Sequence, residues 1–117
     1  MDEKPPIGKI TVDPGVLETI ARLTTLAVPG VVRLTSPLGF QRMLGIKDGV
    51  QIVVQEGTVQ VDLHVVVGSD CDILTLSRRI QTEVTRAIED MVGMEIKTVN
   101  VHIEDVAPAP CQEESDR

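Results

Sequence analysis

The stretch Asp72–Val92, DILTLSRRIQTEVTRAIEDMV, decides the fold. Ile73, Leu76, Ile80, Val84, Ala87, Ile88 and Met91 recur at steps of three and four, so they share one face of a helix. The opposite face carries Arg78, Arg79, Glu83, Arg86, Glu89 and Asp90 and suits water. Ser69 or Asp70 is placed to accept an orphan backbone N–H at the first turn, and Gly93 to close the last one. Each large apolar side chain on such a helix gains about 1.5–3 kcal/mol, but only once something covers it. The helix therefore needs a sheet.

The flanking sequence supplies one. Val50, Ile52 and Val54 alternate with Gln51 and Gln55, and Val59, Val61, Leu63, Val65 and Val67 alternate with Gln60, Asp62 and His64. Glu56-Gly57 between the two runs fits a tight hairpin, although Glu is a mediocre residue for positive φ. Period two with one polar side predicts a sheet covered on one face only. Beyond the helix, Ile96 to Val106 is the last strand, with Val99, Val101 and Ile103 inward and Asn100, His102 and Glu104 outward. Strand, helix and strand in that order favour parallel pairing.

Upstream, Gly8 to Val12 reads as a short strand, and Asp13-Pro14 as an N-cap followed by proline at the first helical position. Val16, Leu17, Ile20, Ala21, Leu23 and Ala27 form the stripe of a first helix, which Pro29-Gly30 stops. Val31 to Thr35 reads as a further strand. The predicted fold class is α+β: a two-layer α/β sandwich in the order β-α-β-β-β-α-β, with a mixed sheet and two helices on one face. Residues 1–7 read as a flexible lead, 8–106 as a single domain and 107–117 as a disordered acidic tail.

Composition sets limits on function. A chain of 117 residues, 42% hydrophobic and 25% charged, has room for one modest core. Phe40 is the only aromatic residue, so stacking on nucleobases has almost nothing to work with. A formal net charge of −7 argues against a general phosphate-backbone binder, and no nucleic-acid partner is expected. No segment resembles a signal peptide or is long enough to span a bilayer, so the expectation is a cytoplasmic chain with no direct membrane insertion.

Candidate chemistry is sparse. His64 and His102 share the outward phase of two strands, with Asp62 and Glu104 beside them; in register, they would bring imidazoles and carboxylates together as a weak metal set. The bland alternative is surface histidines on an open sheet. Cys71 and Cys111 have neither metal-type spacing nor a disulfide framework, and the expectation is a free thiol at Cys71 and an incidental one at Cys111. Arg78, Arg79, Arg86 and Lys97 are interrupted by Glu83, Glu89 and Asp90, which reads as a compensated solvated face. Neither a nucleotide-cradling glycine loop nor a nucleophilic serine elbow is present, so no catalytic residue and no cofactor is assigned.

Contact surfaces are the remaining option. The irregular stretch Ser36 to Asp48 carries Leu38, Phe40, Met43 and Leu44, which either fold back over the sheet or anchor a partner. Val53 and Val66 break the polar phase of the outer sheet face and suit self-association. A homo-oligomer is expected. The rival from another class is a KH-like RNA-binding module, which needs a GXXG clamp. Gly45-Ile46-Lys47-Asp48-Gly49 has one residue too many between its glycines.

Several stretches together carry a family resemblance: Gly8-Lys9-Ile10, Ile20-Ala21, Val28-Pro29-Gly30-Val31, Gly49-Val50-Gln51-Ile52, Val61-Asp62-Leu63, Ile88-Glu89-Asp90-Met91-Val92-Gly93-Met94 and Val99-Asn100-Val101-His102-Ile103. In that order and spacing, from Gly8 to Val106, the chain resembles the bacterial alkaline-shock, or Gls-type general stress, family of envelope stress response proteins. Members often carry an aromatic residue before the glycine that precedes the second helix; here it is Val67, before Gly68. The resemblance implies a small cytoplasmic protein without established catalysis, linked to envelope homeostasis. For some members it implies self-assembly and tethering through an integral membrane partner protein. It supplies no catalytic residues.

Overall fold

The computed structural model describes residues 7–36 and 49–111. Its elements run α1 (Pro14–Ala27), β1 (Val31–Leu34), β2 (Val50–Gln55), β3 (Thr58–Gly68), α2 (Ile73–Val92) and β4 (Glu95–Ala107). The two-layer sandwich predicted from the sequence is present, with one strand fewer among the described residues. Gly8 to Val12 alternates but has no strand partner, and Ile10 is 92% exposed. Alternation marks a segment as able to pair; it does not provide a neighbour.

α1 starts where proline allows it. Asp13 is the N-cap, its carboxylate accepts from Gly15 N at 3.1 Å, and Pro14 fills the first helical position. α2 starts later than the capping residues predicted from sequence: Asp72, and neither Ser69 nor Asp70, caps it, accepting from Thr75 N at 3.3 Å. Gly93 ends it in the left-handed conformation.

β3 is the centre of the sheet. β4 pairs with it in parallel along its full length, from Thr58↔Glu95 to Gly68↔Ala107. Its other edge is shared by two strands laid end to end: β2 runs antiparallel to it from Val50↔Leu63 to Gln55↔Thr58, and β1 antiparallel from Val31↔Val67 to Leu34↔Val65. The junction falls at His64, whose N–H donates to Gly49 O at 2.8 Å and whose carbonyl accepts from Thr35 N at 2.9 Å. Gly49 is obligatory there. Its φ is +77°, and a Cβ would lie 2.7 Å from Thr35 O and 2.9 Å from His64 O. The β2–β3 turn has positive φ at both Glu56 (52°) and Gly57 (80°), the twist that suits a two-residue hairpin.

The core lies between the helices and one sheet face. Leu17, Ile20 and Ala21 of α1, and Leu76, Ile80, Val84 and Ile88 of α2, pack on Val59, Val61, Leu63, Val65 and Val67. The α2 stripe is narrower than the periodicity predicts, since Met91 is 71% exposed and Ile73 also faces solvent. Within α2 only the i, i+4 row from Leu76 to Ile88 is buried, with Ala87 and Val92 partly buried beside it. Thr25 is fully buried in α1 with its Oγ1 unpartnered, a standing cost in an otherwise apolar layer.

Candidate functional site

The sheet face away from the helices brings the singled-out histidines together. Register places His64 opposite His102 and Asp62 opposite Asn100. The two imidazoles stack with centroids 4.6 Å apart and planes 14° from parallel. Each ring then bonds diagonally across the strand pair: His64 Nδ1 to Glu104 Oε2 at 2.7 Å, and His102 Nε2 to Asp62 Oδ1 at 3.1 Å. Asn100 Nδ2 donates to the same Asp62 oxygen at 3.1 Å.

The result is a polar ladder that ties β3 to β4. Stacked rings direct their in-plane nitrogens side by side, so they do not converge on one point as metal ligands must. Among the described residues no three His, Cys, Asp or Glu side chains form a group able to hold a metal ion. With neutral imidazoles, each bonded nitrogen donates its N–H to a carboxylate, which fixes both tautomers. His64 is buried and His102 is about half exposed, so one end of the ladder is anchored and the other is open to solvent. Sequence phase alone identified four of these residues; Asn100 shares that phase.

The contact candidates divide. Val53 stands opposite Gln60 at the open end of the outer face and is 38% exposed. Val66 is only 1% exposed and is flanked in register by Arg33 and Asp105, so no partner reaches it in this conformation. Leu38, Phe40, Met43 and Leu44 lie outside the described residues. On the helical side, an open groove of about 710 Å³ runs between α1 and α2, with Leu23, Ala27 and Met91 along it and Arg79, Glu83 and Asp90 at its rim. Among the described residues no helix is long and apolar enough to cross a membrane.

The cysteines depart most from expectation. Cys71 and Cys111 are joined by a disulfide, their Cα atoms 4.9 Å apart across 40 residues of chain. Neither is a free thiol. Spacing along the chain carried no sign of the bond, because the two residues meet through the parallel pairing of β3 and β4. β4 runs on to Ala107, one residue past the end expected for the domain, and Ser69 N donates to Ala107 O at 2.9 Å.

A model of the alkaline shock protein family, described by its cell envelope-related function, matches residues 2–108. No curated protein sequence matches the chain. Solved structures of MamM CTD do resemble it. One, at 14% identity, covers 79% of this chain and 96% of its own with a TM-score of 0.52. Another, at 13% identity, covers 80% and 98% with the same TM-score of 0.52. At such identities the likeness is one of fold alone.

Proposed function

The chain belongs to the alkaline shock protein family, whose function is cell envelope-related, and from that premise we propose that it acts as a self-associating, non-catalytic adaptor or scaffold serving the envelope. In this reading it reaches the membrane through an integral membrane partner protein. The observation that carries it is the one-sided sheet. The core is made by Leu17 and Ile20 of α1, the row from Leu76 to Ile88 of α2, and the inner face of the sheet. Four ionisable groups of the outer face, Asp62, His64, His102 and Glu104, are engaged with one another as cross-strand pairs. What remains for function is surface, and partners are recognised by surface.

The contacts assigned to this role are Val53 on the outer face and Leu38, Phe40, Met43 and Leu44. Val66, at 1% exposed, would contribute only after a change of conformation. Light scattering across a concentration series should give a mass above that of one chain, and Val53→Lys should lower it without altering the far-ultraviolet circular dichroism. Tagged protein recovered from envelope fractions should co-elute with a membrane-spanning chain, and Phe40→Ser with Leu44→Ser should reduce that recovery. A monomer at every concentration, together with no co-eluting membrane chain, would refute the proposal.

A further inference from the structure

The disulfide sits where the ends of β3 and β4 meet the turn that follows α1. β3 and β4 leave the sheet side by side at Gly68 and Ala107, so Cys71, three residues on, and Cys111, four residues on, arrive together. Beneath them lies Gly30, with φ +104°, where a Cβ would stand 2.9 Å from each sulfur. Gly68 lies against the same strap, since a Cβ there would be 2.8 Å from Ala109 O. Any larger residue at either glycine would push the strap off.

We propose that Cys71–Cys111 is a thiol–disulfide exchange site that takes a dithiol reductant and, on opening, releases residues 107–111, the strap at the end of the sheet. Access comes first: both cysteines are only half-buried, so a small thiol reaches the bond without unfolding the domain. Both redox states also have a place in the fold. Gly30 O lies 3.8 Å from Cys71 Sγ and accepts from the S–H once the bond is open. The strap is held by little else, through Ser69 N to Ala107 O and a local bond from Ala109 N to Ala107 O. The helices and β3 pack without it, because the buried cluster lies between them and the strap contributes nothing to it.

The exchange runs in two displacements. One thiolate of the reductant attacks Sγ of Cys111, the sulfur on the outer strap; the protein S–S bond breaks, and Cys71 leaves as a thiolate that takes a proton from water. The second thiol of the reductant then attacks its own sulfur in the mixed disulfide and expels Cys111, which is protonated in turn. The protein gains two electrons and two protons, and the dithiol becomes a cyclic disulfide. In a reducing compartment the clasp is open, and in an oxidising one it is closed. This inference is independent of the adaptor reading.

The test uses the full chain with dithiothreitol and no denaturant. Alkylation and mass spectrometry count the freed thiols, while hydrogen exchange reports the backbone. Expected are two alkylated cysteines, exchange at the Ser69 amide faster by about tenfold or more, and unchanged protection at Val61 and Val84. Cys111→Ser should show the same loosened Ser69 without reductant, and replacing the dithiol with oxidised glutathione, which takes back the two electrons, should re-form the bond and restore protection in the wild type. If the cysteines alkylate only where Val61 also loses protection, the bond is a fixed staple and the proposal is overturned. It is overturned equally if reduction leaves Ser69 protected, because nothing would then have been released.

Discussion

The middle of the β3–β4 pair and its end are held in opposite ways. In the middle, five polar side chains interlock across two strands without a covalent bond. At the end, one covalent bond secures a strap that has two backbone hydrogen bonds of its own. The same parallel register brings both sets of residues together. A ladder of neighbours adds small increments along the pair, whereas a crosslink acts mostly by restricting the unfolded chain. The two regions should therefore respond very differently to substitution.

The largest effect is expected at the end. Cys71→Ser or Cys111→Ser removes a closed loop of about 40 residues, which in the chain-entropy account is worth about 4 kcal/mol; urea unfolding with and without reductant measures it, and the reductant should affect only the wild type. Next comes the opposite edge of β3, behind that middle. Gly49→Ala puts a methyl group against Thr35 O and His64 O at a positive φ, and should cost about 2–4 kcal/mol in the same assay. A smaller loss, about 1–2 kcal/mol, is expected for Asp62→Ala, which strips the acceptor from both His102 and Asn100. A double-mutant cycle of Asp62→Ala with His102→Ala should show coupling of about 0.5 kcal/mol or more; strict additivity would mean the ladder is a set of bystanders. The smallest change lies outside both regions and sets their scale. Thr25→Val replaces a buried, unpartnered hydroxyl with a methyl group and should stabilise the domain by about 1 kcal/mol.

The same contrast explains what the sequence made legible. Period two in β3 and β4 put His64, His102, Asp62 and Glu104 on one face, and the crossover helix implied parallel pairing, so the ladder followed from local rules. The capping of α1 by Asp13 was equally local. The disulfide required one further step, counting residues past the last paired position of each strand, and that count needs the register. Gly8 to Val12 failed for the reverse reason: its pattern is local, but a strand also needs a partner. Val66 is buried where phase suggests access, because phase gives the face on which a residue lies and says nothing about neighbours such as Arg33 and Asp105 beside it. The narrowness of the α2 stripe was hidden too, since periodicity cannot tell where the sheet beneath a helix ends.

The split edge of β3 has a consequence for how this domain tolerates change. Thr35 and Gly49 end up side by side on one strand, although thirteen residues separate them in the chain. The two ends of the intervening segment therefore meet at one residue of β3, His64. Lengthening that segment twofold should cost only about 0.6 kcal/mol in closure entropy. On chain entropy alone, that junction is accordingly a point at which inserted peptide adds little cost.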